Sequence, residues 1–329
     1  MSGSSQSRPR TFAFLLVDGF ALMSFASAVS PLRAANTLAE RELYRTICVS
    51  LDGQPATSSV GAQMPCQARV GDIIDADTLL ICVGGRPWDF RDKKTLGWIR
   101  QLSRRGVRIG GVSGGPYVLA RAGIMEGRHM TVHWEHAPAL SEEYPDLLLT
   151  RSRYIIDRDR LTCAGGIAAL DMMHAIIAEE HGKVFATQVS DWYLHREVAL
   201  ASSPQRASLT QRYGIHRQDI IYALELMESN IATPLDRAAI ASRLGLSTRQ
   251  IDRLFASLLG SSFADHYRTI RLERARNLLL QSTLPITEVA LACGFANASH
   301  FSRAYSAMFG TPPRRDRAAA GRAIQSAQA

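Results

Sequence analysis

Five cysteines occur in 329 residues, and no two of them form a CxxC pair. Cys48, Cys66, Cys82, Cys163 and Cys293 are scattered, which argues against a disulfide framework or a zinc site. Free thiols in a reducing cytosol are the simpler expectation. HxH, HExxH and Cys/His clusters are also absent, so neither a metal nor a cofactor is expected. Long apolar runs are missing too. Phe12–Val17 is too short for a signal-peptide core or a membrane span, and a cytoplasmic location without membrane attachment follows as an expectation. Lysine is absent from Ile215 onward. That segment holds 14 Arg and 9 acidic residues, giving +5 of the net +8. An excess built only of guanidinium suits phosphate or guanine, which Arg can grip with two donors at once.

The length fits two domains, each large enough for its own core. Up to about residue 200, strand-like and helix-like segments alternate. Phe12–Val17, Ile47–Leu51, Leu79–Val83 and Val107–Val112 are short apolar runs of the kind covered on both faces. Lys94–Arg104, Pro116–Arg121 and Ile167–His181 have helical patterns. The alternation predicts a mostly parallel sheet flanked by helices, flavodoxin-like. Residues 1–10 read as a frayed terminus, 11–200 as this α/β domain and 201–214 as a polar linker. Residues 215–313 read as an all-α domain, and 314–329 as a disordered Arg- and Ala-rich tail.

The all-α domain contains a pattern twice. In Ala238–Ser257 a short helix ends at Gly245, the chain turns, and Ser247 caps a second helix through a capping box with Gln250. Ile251 and Leu254 point inward, leaving Thr248, Arg249, Asp252 and Arg253 on the opposite face. In Glu288–Phe309 a helix ends at Gly294, and Ser299, His300 and Arg303 point away from the stripe of Phe301, Tyr305 and Phe309. A lone unit of this kind could equally be a helical hairpin of another all-α protein. Two in series, each exposing Arg after the turn, suggest paired helix-turn-helix units. A connecting helix over Ser262–Gln281 would be roughly 30 Å long. That approaches the 34 Å or so between successive major-groove faces.

The stretch IASRLGLSTRQIDRLF, followed by YRTIRLERARNLLLQSTLPITEVALACGFANASHFSRAYSAMFGTPP, resembles the DNA-binding domain of AraC/XylS-type transcription regulators. The resemblance covers about the last hundred residues. It implies one chain reading double-stranded DNA at two adjacent major-groove segments, with RNA polymerase as a partner. By motif position, base reading falls to Arg249, Asp252 and Arg253, then to Ser299, His300 and Arg303. Thr248 and Gln250 complete the candidate interface. Asp252 can accept from cytosine but also repels phosphate.

In the front domain, Ile109–Gly123 (IGGVSGGPYVLARAG) reads as strand, tight turn and helix, with Ser113 at the turn between glycines. This is the pattern of a nucleophile elbow, whose amides can hold an oxyanion. Gly84–Gly85 closes a strand, His133–Trp134–Glu135 ends a strand-like run, and Gly165–Gly166 opens a helix. Carboxyl ends of parallel strands form the ligand crevice. A pocket is therefore expected among Gly84, Gly85, Ser113, Gly114, Gly115, His133, Trp134, Glu135, Gly165 and Gly166. Trp88, Trp134 and Tyr117 are each either packing or an aromatic wall for a cation.

From about Thr11 to Glu197 the chain resembles the class I glutamine amidotransferase-like superfamily, including PfpI-type proteases. FASAVSPLRAAN, RELYR, ARAGIMEG, TVHWE and IDRDRLTCAGG are typical of the subgroup that precedes AraC-type domains. That likeness implies sensing of a small nitrogenous metabolite, such as an amino acid or quaternary amine. Enzymes of the superfamily place Cys at the elbow and a carboxylate early in the first helix. Here Ser113 and Ser24 stand in those places. Serine needs a positioned base, and His133, with Glu135 or Asp171 as orienter, is the available set.

Ser113 can therefore be a nucleophile, a small residue fitting a crowded turn, or a ligand contact. The leading reading is a ligand-responsive regulator of small-metabolite catabolism, more often an activator in this family, that is not an enzyme and dimerises through its front domain. A PfpI-like hydrolase or amidase fused to a DNA-binding domain is the alternative. A regulator without a ligand, whose front domain only dimerises, is the third.

Overall fold

The computed structural model describes residues 8–325, and the chain separates into two compact units, Met1–Gln205 and Arg206–Ala329. The strands of the first unit are β1 (Arg10–Leu16), β2 (Tyr44–Ser50), β3 (Ala56–Thr57), β4 (Gln63–Met64), β5 (Ala68–Arg69), β6 (Thr78–Val83), β7 (Arg108–Ser113), β8 (His129–Met130), β9 (Leu148–Leu149), β10 (Tyr154–Asp157) and β11 (Arg160–Cys163). Seven of these form one sheet in the order β10-β11-β7-β6-β1-β2-β5. Every neighbouring pair is parallel except the β10–β11 hairpin. Its helices are α1 (Leu22–Ala39), α2 (Lys93–Arg104), α3 (Gly115–Arg121), α4 (Ala137–Glu143), α5 (Ala168–His181) and α6 (Lys183–Trp192).

Both sheet faces are covered, as the apolar strand runs require. Phe12, Phe14, Leu16, Leu80, Cys82 and Val112 pack into the core shared with α1, α5 and α6. The intervening Ala13, Leu15, Leu79, Ile81 and Ile109 are equally buried, on the side where α2 and α3 lie. That side follows from the two-residue side-chain period of a strand. Four of the five cysteines are buried, and all five are free. Among the described residues no helix is long and apolar enough to cross a membrane.

The second unit is helical throughout: α7 (Leu209–Tyr213), α8 (Gln218–Ser229), α9 (Arg237–Arg243), α10 (Thr248–Leu259), α11 (Phe263–Gln281), α12 (Ile286–Ala292), α13 (Ala298–Phe309) and α14 (Pro313–Gln325). Local chemistry sets the ends of α10 and α13. Ser247 caps α10 in a reciprocal box with Gln250, and the Asn297 side chain accepts from the His300 amide to cap α13. Each such cap contributes about 1 kcal/mol. Gly260 and Gly310 end the two helices in the left-handed conformation. The halves are offset by 50 residues: Ser247 and Asn297 cap, Ile251 and Phe301 are buried, Phe255 and Tyr305 are buried.

Three expectations about the segment boundaries need correction. Residues 1–7 of the expected frayed terminus lie outside the described residues. Arg10, however, opens β1, donates its amide to the Leu43 carbonyl, and pairs its guanidinium with Glu180 at 2.6 Å. The 201–214 segment is not a plain linker. Gln205 is bonded into the first unit, and Ser208 caps α7 of the second. The tail is helical rather than disordered over Pro313–Gln325. Asp316 accepts from the Tyr305 hydroxyl at 2.6 Å and from Arg276 at 3.1 Å, while Arg317 donates to the Leu279 carbonyl at 2.9 Å. These three bonds anchor a segment whose composition alone reads as unstructured. Ending the chain after Pro313 should therefore lower the stability of the helical unit by about 1–3 kcal/mol, the worth of losing buried partners for Tyr305 and the Leu279 carbonyl. An unchanged denaturant midpoint for that unit would show that the helix contributes nothing.

Candidate functional site

The helix-turn-helix geometry starts at Gly245 and Gly294, both with φ near +70°. After Gly245, Leu246 donates back to the Ala241 carbonyl at 2.9 Å; after Gly294, Phe295 donates to the Ala290 carbonyl at 2.9 Å. These bonds tighten the turn and aim the next helix. Ile251, Leu254 and Phe255 then bury one face of α10, and Phe301 and Tyr305 one face of α13. The opposite faces carry the expected residues. Arg249, Gln250 and Arg253 are exposed, with Thr248 and Asp252 half-buried; Ser299, His300 and Arg303 are exposed. Arg253 and Arg303 occupy the same place, six residues after their caps.

The ion pairs divide these residues by role. Seven other arginines of the unit are committed: Arg212, Arg217, Arg237, Arg268 and Arg276 to carboxylates, Arg271 and Arg317 to backbone carbonyls. Arg249, Arg253 and Arg303 have no such partner among the described residues, and neither do the exposed Arg243, Arg314 and Arg315. Asp252 is held by Arg237, which neutralises the carboxylate and so lessens its repulsion of phosphate. The Gln250 carboxamide oxygen is engaged by the cap. His300 lies edge-on to Phe295, with ring centres 5.9 Å apart.

In the first unit the elbow is built from missing side chains. Ser113 ends β7 with φ +61°, a left-handed conformation that costs a non-glycine residue on the order of 1–3 kcal/mol. A Cβ on Gly115 would sit 2.0 Å from the Ile81 carbonyl oxygen, so α3 can start this close to the sheet only with glycine there. Gly165, at φ +94°, lies directly over the elbow: its Cβ would fall 2.8 Å from the Ser113 Cβ and 2.9 Å from the Ser24 Oγ. Buried Ser24 accepts from the Gly166 amide at 2.7 Å. Ser24, Ser113, Gly165 and Gly166 are thus brought together. Gly114 abuts Pro87. Gly84 packs instead against Gly19–Ala21, the loop leading into α1, and Gly85 is open at φ +58°.

His133, Trp134 and Glu135 form a turn rather than a strand end, because β8 stops at Met130. The segment is held by the Thr131 amide, which donates to Thr162 Oγ1 of β11 at 3.0 Å. The rings of Trp134, His133, His136 and Trp88 follow one another at 5.3, 5.6 and 5.6 Å. Trp88 is buried, and its indole N–H has no acceptor among the described residues. Tyr117 is no wall of this cluster. It is fully buried, bonded to Glu143, with Arg121 over its ring.

Among the described residues no hydrogen bond joins Ser113 to His133. Asp171 is spent elsewhere, on Arg153 at 2.7 Å and His195 at 2.7 Å. Exposed Glu135 is the carboxylate paired with His133 among the described residues, at 3.9 Å. Sequence patterns gave no sign of Gln205, whose side-chain nitrogen lies 3.0 Å from the Thr131 hydroxyl, 3.0 Å from the Val132 carbonyl and 2.7 Å from the Ser152 carbonyl. The end of the first unit is thus tied to the segment that carries His133.

Residues 10–179 match the DJ-1/PfpI family, and residues 240–319 match a helix-turn-helix domain family. The HTH-type transcriptional regulator GlxA of Rhizobium meliloti is 47% identical over 315 residues, covering 95% of this chain and 97% of the relative. The chain belongs to the AraC-type helix-turn-helix regulators that carry a DJ-1/PfpI domain. The regulator CdhR of Pseudomonas aeruginosa is 38% identical, covering 93% and 91% of the two chains. An AraC family regulator from Pseudomonas putida superposes with a TM-score of 0.51 at 25% identity, over 56% of this chain and all of that one. A member of this family is a DNA-binding transcription regulator, and its DNA-binding part is the helix-turn-helix domain.

The elbow region has its own pH signature. Burial, chiefly, holds His133 below its ordinary value near 6.5, and nearby His136 adds to this; His174 and His181 are depressed by burial too. The unfolded chain therefore binds these protons more readily than the folded one. Stability of the first unit should be intact above about pH 6.5 and fall as the pH drops below it. His133→Gln should flatten that slope in urea titrations at pH 7.5 and 5.5; an identical slope would mean His133 titrates as in the unfolded chain.

Proposed function

We propose that this chain is a cytoplasmic, ligand-responsive transcription activator that reads two adjacent major-groove segments through α10 and α13. Arg249, Asp252 and Arg253 read one segment, with Thr248 and Gln250 beside them. Ser299, His300 and Arg303 read the other. The observation that carries this reading is that Arg249, Arg253 and Arg303 lie exposed on the outer faces of α10 and α13 without an ion-pair partner among the described residues, in a unit that pairs seven other arginines with carboxylates or carbonyls. RNA polymerase is the partner that activation requires, and dimerisation is assigned to the first unit.

The effector is a small amine, amino acid or other zwitterion held among Gly84, Gly85, Ser113–Gly115, His133–Glu135 and Gly165–Gly166. The amides at the start of α3 and the unsatisfied indole N–H of Trp88 favour a carboxylate. Trp134 and Glu135 favour an ammonium group. Burying either ligand charge without a partner is costly, so a ligand with both suits the site. The Gln205 contacts give occupancy of this site a route to the chain that enters the second unit. The chain works without catalysis and without a cofactor. Among the described residues no base is hydrogen-bonded to Ser113, which supports this over an amidase or hydrolase.

Arg253→Ala and Arg303→Ala should each weaken binding to the operator by about 1–3 kcal/mol, the worth of a bidentate guanine contact, in titrations at fixed salt. Full retention of affinity by both would remove these helices from the interface. Ser113→Phe should abolish the response of a reporter gene to the effector while DNA affinity stays unchanged. A fully responsive Ser113→Phe protein would place the effector elsewhere.

A further inference from the structure

In the second unit three separate stretches meet at one point. The first is the loop at 230–235, which precedes the first reading unit. Its Asn230 carbonyl accepts from the Tyr267 hydroxyl at 2.6 Å, and its Leu235 amide donates to the same hydroxyl at 3.4 Å. The second is α11, which carries Tyr267 and, one helical turn later on the same side, Arg271. The third is the turn of the second reading unit. The Arg271 guanidinium donates to the carbonyls of Cys293 and Gly294 and lies 4.3 Å from the centre of the Phe295 ring. The first and third stretches also touch directly. A Cβ on Gly294 would fall 2.6 Å from the Ile231 carbonyl oxygen and 2.7 Å from Pro234.

The chemistry makes this junction stiff. A planar guanidinium that serves two carbonyls and a ring face fixes its partners in angle as well as in distance. The carbonyls are those at the negative end of α12, where a cation is favoured. Arg271 is half-buried, and burial lowers its pKa, so removing its acceptors would leave a costly charge. Phe295 leans on Phe301 at 5.3 Å and on His300 at 5.9 Å, so its position sets that of α13. The arginine thus bears on the second recognition helix from a helix that is also bonded to the loop preceding the first reading head, and its hydrogen bonds among the described residues all go to backbone carbonyls.

We propose that Arg271, seated between Tyr267 and Gly294, is the residue that fixes the spacing between the two DNA segments read by one chain. It is a positioning residue that determines specificity without touching a base. Inserting one base pair between half-sites moves the second by about 3.4 Å and turns it by about 35°. Two heads rigidly joined cannot follow such a change; two heads loosely joined can. This inference rests on two-segment reading by α10 and α13.

The test uses the full chain and a duplex selected by it from random sequence, with one or two base pairs then inserted or deleted between the two conserved blocks. The wild type should prefer the selected spacing by roughly tenfold or more, the equivalent of one lost bidentate contact. Arg271→Ala should bind a duplex holding only the first block as the wild type does, yet lose most of the spacing preference. Arg271→Lys, able to reach one carbonyl but not to fork or stack, should lie between them. If Arg271→Ala does not fold, Arg271→Lys decides alone. A variant that binds more weakly at every spacing but keeps the wild-type preference overturns the proposal. Selected duplexes with a single conserved block would instead defeat the two-segment reading on which it rests.

Discussion

In the second unit one arginine is set between two backbone carbonyls, and the spacing of the two reading heads turns on it. A helix-turn-helix leaves the last carbonyls of its first helix without intrahelical partners. In the second half of the repeat backbone amides close the turn, and Arg271 of α11 adds donors to the Cys293 and Gly294 carbonyls just past α12. The first half closes its turn with the same backbone bonds, but Gly245 sits in open space, and no arginine bridges its turn among the described residues. The asymmetry has a physical reason. The second turn packs against the loop at 231–234, which leaves room for glycine only. A guanidinium supplies several donors at once, and here two of them reach the carbonyls at this crowded turn.

The first unit shows the same economy of space in another form. Its elbow persists because Gly111, Gly115 and Gly165 let backbone approach backbone, which in turn holds Ser113 in a conformation that serine avoids on its own. In an enzyme such strain presents a nucleophile. Here Ser24 accepts a backbone amide, and Asp171 is buried in an ion pair with Arg153 and His195. The architecture is kept while the proton-handling partners are spent on structure. The relatives that share this domain pairing are named as transcriptional regulators.

Much of this was legible in the sequence. Apolar strand runs marked β1, β2, β6 and β7 because a covered parallel sheet needs them. Ser247, Gly245 and Gly294 marked the reading units because caps and turns are local chemistry. What stayed hidden was what depends on tertiary contact. Helix α1 was not assigned from its pattern: Pro31 interrupts it, and its buried residues, from Ser24 and Phe25 to Ala34 and Ala35, do not trace a simple stripe. Helix α14 reads as a polar tail until Asp316 and Arg317 find Tyr305, Arg276 and the Leu279 carbonyl. Gln205 lies in what reads as linker, and its partners at 131, 132 and 152 are more than fifty residues away. Tyr117 lay beside the elbow in sequence, but its ring turns into the core.

The central claim is that a single chain carries two equivalent reading heads, α10 and α13, joined by α11. Hydroxyl-radical footprinting of the full chain on its selected duplex, with the number of bound chains counted by native mass spectrometry, tests it most directly. One bound chain should protect two patches whose centres lie about one helical turn, 10–10.5 base pairs, apart on the same face. A single patch per bound chain, or two patches that appear only when two chains are bound, would contradict it.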